Sequence, residues 1–245
     1  MVKVLVFVTK LIIGIFIALL FSACNMNFSI GSEKGSGNVT TETRTINEDF
    51  KKIDVSHGII VIVEQSDNKS VTVEADDNIQ KLIVTRVEND VLIVEASEGY
   101  NTDNTPKVTV KMPVISGLSS SSGSNIKSGN TLVSQNLAVD ASSGSEIGIS
   151  VEADMLTLET TSGSTMTVSG KALKLETSAS SGSVIDAEKL QANEVSSQGS
   201  SGSATDVTPI VSLTGKASSG ASIGYHKVPK TVTKEESSGG SVSEE

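Results

Sequence analysis

Tryptophan is absent from this 245-residue chain, which has only five phenylalanines and two tyrosines. Past position 25 the aromatic residues are Phe28, Phe50, Tyr100 and Tyr225. Sugar-binding modules commonly stack their ligands on exposed aromatic rings, so there is little material here for a glycan site of that kind. The single cysteine, Cys24, excludes a disulfide within one chain.

Arginine is scarce as well, with Arg44 and Arg86 alone, and acidic residues outnumber basic ones by 29 to 19. The formal net charge is −10 at pH 7. Negative charge repels phosphate backbones and anionic headgroups, so nucleic acid is not an expected partner. The repeats described below contain no calcium-binding Gly-Gly-x-Gly-x-Asp pattern, and the sequence predicts neither a metal site nor a cofactor.

The N-terminus has the order of a secretory signal peptide over residues 1–23. Lys3 provides the positive charge, residues 11–21 are uniformly apolar, and the small residues Ser22 and Ala23 precede Cys24. A cysteine in that place resembles a bacterial lipoprotein cleavage site, where the thiol is acylated. The alternative is an uncleaved membrane helix over 4–23, interrupted by Lys10. Residues 24–38 are polar and Gly/Ser-rich, which is typical of a tether behind a lipid anchor.

A Ser-Ser-Gly-Ser motif recurs along the second half of the chain. Clear copies include 142–145 and 180–183, and the last copy, 237–240, is degenerate. A regular spacing near 20 residues is typical of stacked repeats, and glycine at a corner permits the positive φ of a sharp turn. The shared glycines, 18 to 21 residues apart, are Gly123, Gly144, Gly163, Gly182, Gly202, Gly220 and Gly239.

Short runs with alternating apolar residues, such as 137–139 and 156–158, flank each corner and predict β-strands. The sequence therefore predicts an all-β, single-stranded, right-handed parallel β-helix of about 20 residues per rung and roughly eight to ten rungs. A left-handed helix fits less well because no hexapeptide pattern is visible. A two-sheet sandwich would not require the same corner in every repeat.

Residues 39–115 share the strand pattern but lack the serine motif. His57-Gly58 lies 65 residues before Gly123, about three repeat lengths, which favours three further rungs. The polar turns 65–68 and 88–90 fit hairpins instead, and this alternative stays open.

One catalytic pattern is present. Residues 220–224 match G-x-S-x-G, with Ser222 as the would-be nucleophile and His226 close behind. The match falls in register with the other corners, so the sequence favours a structural role and predicts no catalytic residue. His57 and His226 are expected to be exposed loop histidines, and Asp76-Asp77 solvated surface charges.

The signal peptide with Cys24, the opening Arg44…Phe50-Lys51-Lys52-Ile53, the His57-Gly58 turn and the serial Ser-Gly-Ser corners together resemble one bacterial family. It is labelled "putative auto-transporter adhesin, head GIN domain". The resemblance covers about residues 40–243, so we assign a head GIN-like domain to 39–243. It implies a right-handed β-helix and no catalytic residues, and no C-terminal membrane barrel pattern of an autotransporter is visible.

The sequence thus predicts a non-enzymatic lipoprotein of the cell envelope, anchored in the outer membrane and facing the periplasm or the surface. Its expected role is adhesion, scaffolding or ligand display to an unidentified envelope protein or glycan. The alternatives are an accessory or sensor protein for envelope stress or transport, and an enzyme acting on polysaccharide. An acid pair in one groove would favour the enzyme, and a flat Ser/Thr face would favour adhesion.

Lipidation at Cys24 can be tested directly. In Cys24→Ser the acceptor thiol is lost, so fatty-acid labelling should disappear and the protein should leave the membrane fraction. Ser22→Ala, which keeps a small residue before the cysteine, is the control and should stay labelled. Labelled Cys24→Ser protein would contradict the assignment.

Overall fold

Strands dominate the computed structural model, which describes residues 32–245. Strands make up 64% of these residues, and no α-helix occurs among them. No helix in this range is long and apolar enough to cross a membrane. The predicted signal peptide, Cys24 and the tether up to residue 31 lie outside the described residues.

The first nine strands include several short ones and are interrupted by a 3-10 helix at Gln80–Leu82. Their bounds are β1 Glu33–Lys34, β2 Val39–Arg44, β3 Lys52–Val55, β4 Ile60–Gln65, β5 Ser70–Asp76, β6 Ile83–Glu88, β7 Val91–Ala96, β8 Tyr100–Asn101 and β9 Lys107–Met112.

The remaining strands correspond to the repeat region, and four of them are longer than the rest. Their bounds are β10 Gly117–Ser120, β11 Asn125–Ser128, β12 Leu132–Ala141, β13 Glu146–Thr160, β14 Thr165–Ala179, β15 Val184–Gly199, β16 Ala204–Ala217, β17 Ser222–Tyr225, β18 Thr231–Glu236 and β19 Ser241–Glu244.

From β10 onward every coil stacks on the next through parallel pairing. Leu137, Leu156 and Leu175 are successive partners in the register of β12, β13 and β14, one repeat apart. The result is a parallel β-solenoid of about seven turns with rungs of roughly 19 residues. This confirms the predicted parallel β-helix, whereas its right-handed sense stays a prediction from the sequence.

Columns of equivalent apolar side chains fill the interior. All members of two such columns are buried. One column contains Leu137, Leu156, Leu175 and Val195, and another contains Ile126, Ile147, Met166 and Ile185. Burying one such side chain stabilises the fold by about 1.5–3 kcal/mol. The period-two alternation in the sequence therefore sets which residues point inward, since strand side chains alternate between faces.

The corners are tight turns with positive φ at both central residues. In the corner at 142–145, Ser143 has φ 52° and Gly144 has φ 69°, and the Ser145 N–H donates to the Ser142 carbonyl at 3.1 Å. This is the pattern of a type I′ turn. The Gly144 N–H, left free by the turn, donates to the Ser162 carbonyl of the next corner at 3.1 Å.

This bond recurs from corner to corner, and we call the series the corner ladder. It joins eight Ser-Gly or His-Gly corners, the first at His57-Gly58 and the last at Ser238-Gly239. The sequence predicted its seven Ser-Gly members.

The serine that points inward is the fourth residue of the motif. Ser145 is buried, its Oγ accepts the Ser142 N–H at 3.0 Å, and it donates to the Ser120 carbonyl of the adjacent coil at 2.7 Å. Ser164, Ser183 and Ser203 make the same bond to the adjacent coil. At these four corners the buried hydroxyl is thus satisfied, which avoids a penalty of about 1–3 kcal/mol. The buried hydroxyl of Ser124, at the 121–124 corner, makes no hydrogen bond within residues 32–245.

The prediction of three successive rungs before Gly123 is wrong. The Gly58 N–H donates to the Ser122 carbonyl at 3.1 Å, so these two corners are direct neighbours despite the 65 residues between Gly58 and Gly123. Strands β3 and β4 pair with β10 and β11 on one side and with β7 and β9 on the other. The order of coils in the stack therefore differs from their order in the chain.

The intervening residues form the end of the stack. β6 pairs antiparallel with β7 across the turn at Asn89-Asp90, so the hairpin alternative is correct there. The other polar turn does not close a hairpin, because β9 lies between β4 and β5. Antiparallel strands replace rungs at this end, which explains why the structure has about seven turns rather than eight to ten.

Ordered contacts begin ahead of the predicted domain boundary at residue 39. Glu33–Lys34 pairs with Tyr100–Asn101, and the Ser36 N–H donates to Asn78 Oδ1 at 2.9 Å. Asp76 is buried and accepts hydrogen bonds from Thr102 and Asn104, so its reading as a solvated charge is wrong. The Thr102 hydroxyl bond holds the pKa of Asp76 below its usual value.

The corner geometry predicts a difference between two glycines that have equally open surroundings. A Cβ added at Gly163 or at Gly148 meets no atom within 4 Å, but only Gly163 has a positive φ, 69°. Gly163→Ala should lower the free energy of unfolding by about 1–2 kcal/mol, because an L-residue is strained in that conformation.

The matched control Gly148→Ala should leave stability unchanged or slightly raised. Chemical denaturation of both variants measures the difference. Equal stabilities would show that the corner does not depend on the φ of its glycine.

Candidate functional site

The corner edge presents a line of exposed serines and glycines. All seven predicted glycines lie there with φ between 69° and 78°, and nothing lies within 4 Å of a Cβ built on any of them. The second serine of each corner is exposed beside its glycine. The edge is a row of hydroxyl and backbone groups that repeats with every coil.

An open groove of about 700 Å³ lies on another side of the stack, along the strand segments between corners. Val133 and Leu173 line it and are 57% and 53% exposed, which is unusual for large apolar side chains. Lys171 and Lys227 add positive charge, and Glu152 and Asp154 add negative charge. No aromatic residue lines the groove, so a stacking site for sugars is not formed there.

A second feature is a column of polar side chains, three of them acidic, on the strands that precede the corners. Asp54, Ser119, Asp140 and Glu159 are successive register partners on four neighbouring coils. Burial raises the pKa of Asp140, and the charge of Glu159 adds to the effect. Burial likewise raises the pKa of Asp54, with a contribution from Glu95.

Asp54 and Asp140 border a depression of about 180 Å³. Small-molecule sites usually enclose about 300–1,000 Å³, so this depression is too small to enclose a sugar chain. Asp54 and Asp140 therefore do not sit in a groove of the size that a polysaccharide-active enzyme requires. Two other acids, Glu152 and Asp154, line the larger groove, and both are exposed.

The would-be nucleophile and base do not meet. Ser222 is exposed on β17, and His226 follows four residues later, about 13 Å along an extended chain. His226 Nε2 instead lies 3.4 Å from Asp206 Oδ1 on the adjacent coil. With three-quarters of its side chain buried, His226 is not the exposed loop histidine that the sequence predicted.

Glu245 lies beside this pair, and Asp206, His226 and Glu245 form a cluster that the sequence analysis missed. Burial raises the pKa of Asp206, and the charge of Glu245 raises it further. The three residues are 20 and 19 residues apart, which is the repeat length itself. That spacing was the available signal, since residues one repeat apart become neighbours in a solenoid.

His57, the other histidine, occupies the serine position of the first corner with φ 67°. Its Nδ1 lies 2.8 Å from Ser56 Oγ, and its carbonyl accepts a bond from the Tyr100 hydroxyl at 2.6 Å. These contacts are local to the corner and assemble no catalytic group.

These features define a class of protein, a parallel β-solenoid with repeated polar faces and an open groove. Ser222 and His226 are not brought together, and the Ser56–His57 contact joins two chain neighbours at the first corner. The chain belongs to the family described as "putative auto-transporter adhesin, head GIN domain", whose model matches residues 49–229. This confirms the resemblance read from the sequence.

Solved structures with the same fold come from Bacteroides and Parabacteroides species. A putative adhesin from Bacteroides fragilis has a TM-score of 0.80 at 19% identity, covering 86% of this chain and 99% of its own. A putative lipid binding protein from Parabacteroides distasonis has a TM-score of 0.71 at 16% identity, covering 88% and 100%.

A putative adhesin from Parabacteroides merdae has a TM-score of 0.67 at 20% identity, covering 86% and 98%. At these identities the likeness establishes the fold alone. No curated protein matched the chain.

The separation of Ser222 from His226 predicts that Ser222 is not a nucleophile. A fluorophosphonate probe should leave the folded protein unlabelled, because no base lies within hydrogen-bond reach of the hydroxyl. Ser222→Ala and Ser241→Ala, which alters the partner of Ser222 on the next coil, serve as paired controls. Labelling that vanishes only in Ser222→Ala would overturn this.

Proposed function

We propose that this protein is a non-enzymatic, adhesin-like protein of the cell envelope, held at a membrane by a lipid on Cys24. The observation that carries the proposal is the open groove that exposes Val133 and Leu173, together with long repeated polar faces on the stack. The family description, an adhesin head, agrees with such a role.

The outward faces suit an extended partner. Thr157, Glu176, Ser196, Thr214 and Thr233 occupy equivalent outward positions on successive coils. Each position repeats about every 4.8 Å, the spacing of paired strands. A polymer or protein segment lying along the stack therefore meets a polar side chain at each step, which is how a surface without a deep pocket gains area for binding.

The groove provides the apolar part of the contact. Val133 and Leu173 are exposed and line the same groove, and such exposed apolar surface commonly marks an interaction site. We place the main contact with the adhesion partner there, flanked by the polar faces.

A second candidate, binding of a lipid-like amphiphile, is favoured by the same groove. Leu173 and Val133 would contact an acyl chain, and Lys171 and Lys227 would pair with an anionic head. The Parabacteroides distasonis structure described as a putative lipid binding protein shares this fold.

A charge placed in the groove tests the adhesive role. Leu173→Asp should reduce attachment of cells to mucin-coated and polysaccharide-coated plates by roughly tenfold, because the apolar contact becomes a solvated carboxylate. The matched control is Val39→Asp, which adds the same charge at an apolar residue that is 44% exposed and does not line the groove. Attachment should be counted in a deletion strain complemented with each variant.

Equal attachment by both variants would contradict the role of the groove, and attachment unchanged by deletion would contradict adhesion itself. The amphiphile candidate has its own readout. Purified protein should then bind a fluorescent fatty acid saturably, and Leu173→Asp should lose that binding while Val39→Asp keeps it.

A further inference from the structure

The geometry at the last coils points to a metal site, and we infer that Asp206, His226 and Glu245 bind a divalent transition metal ion such as Zn²⁺. Neither the family description nor the adhesive role assigns a function to these residues. The inference does not depend on the proposed function.

Three coils contribute one ligand each. Asp206 lies in β16, His226 follows β17, and Glu245 follows β19. Hydrogen bonds between coils position the backbones of two of these residues. The His226 N–H donates to the Val207 carbonyl at 3.0 Å, and the Glu245 N–H donates to the Tyr225 carbonyl at 3.1 Å. The backbones of His226 and Glu245 are therefore each tied to a neighbouring coil.

The ligand atoms have the spacing that a small ion requires. One carboxylate oxygen from each acid and one imidazole nitrogen all lie within 4.8 Å of one another. Two ligands of a tetrahedral Zn²⁺ ion are about 3.4 Å apart, given bonds of about 2.1 Å. His226 Nε2 and Asp206 Oδ1 already have that separation, 3.4 Å.

Space for the ion is left by a glycine. Gly224 is the register partner of Asp206, and a Cβ on it would lie 2.5 Å from Asp206 Oδ1 and 2.9 Å from Glu245 Cδ. Its φ is not in the left-handed region, so the backbone conformation does not call for glycine. The open space between the two carboxylates is what glycine provides there.

The imidazole nitrogen that faces this space has no other partner. His226 Nε2 is buried and makes no hydrogen bond within residues 32–245, since Asp206 Oδ1 is near but poorly aligned. A buried nitrogen without a partner is costly unless something binds it. A metal ion placed between the three side chains would satisfy it and would separate two adjacent carboxylates.

The donor set selects the class of ion. One neutral imidazole and two carboxylates suit Zn²⁺ and its neighbours, whereas Ca²⁺ and Mg²⁺ prefer oxygen ligands alone. Three protein ligands leave a position for water. The ion would tie together three successive coils where the stack has no further coil among the described residues.

Titration of the metal-stripped, untagged full-length protein in detergent with ZnCl₂ tests the site. We expect saturable binding of about one ion per chain by calorimetry. His226→Ala, Glu245→Gln and Gly224→Ala should each weaken binding at least tenfold, the first two by removing a ligand and the third by filling the space. His57→Ala alters the only other histidine and should bind like the wild type.

Thermal melting gives an independent readout, since an ion bound only by the folded state raises the melting temperature. Zn²⁺ should raise it for the wild type and His57→Ala but not for Glu245→Gln, an exposed change that should not disturb folding. Absence of saturable binding, or equal binding by His57→Ala and the three site variants, would overturn the inference.

Discussion

Every coil of this solenoid depends on a two-residue corner in the left-handed region of φ. That conformation aims the glycine N–H at the serine carbonyl of the next corner, so one coil positions its neighbour. A serine at positive φ is strained by about 1 kcal/mol or more, and the chain repeats this strain seven times. The inter-coil bond and the turn bond offset it, and at the corners that end in Ser145, Ser164, Ser183 and Ser203 the inward hydroxyl bond adds to them.

The two ends of the stack are finished differently. At the N-terminal end, β5, β6 and β2 run antiparallel to the strands they cover, so the solenoid hydrogen-bonding pattern changes before the edge is reached. At the other end β18 and β19 are edge strands, paired on one side only with β16 and β17, and β18 carries Lys234, Glu235 and Glu236. Charged side chains on an edge strand discourage pairing with another chain. The inferred metal site would strengthen this same end.

The parts of the fold that could be predicted from the sequence are those that belong to the repeats. Gly144 and Gly163 could be placed at stacked corners, and Leu156 and Leu175 in the core, because each coil contacts only its neighbours and the local pattern is enough. The coil at 52–65 could not be placed, since its register with 117–128 rests on pairing across 65 residues. No local sequence pattern indicates that the chain leaves the stack after this coil, forms the N-terminal end of the stack and then returns to pair with the same coil.

The sequence by itself determined the corners, the alternation of inward and outward side chains and the parallel β-solenoid, because glycine and period-two patterning act over a few residues. Tertiary structure alone decided which coils are neighbours near the N-terminal end. It also decided that His226 meets Asp206 and Glu245 rather than Ser222. The reason is physical: stacking brings together residues one repeat apart, whereas an extended strand keeps residues four apart at a distance of about 13 Å.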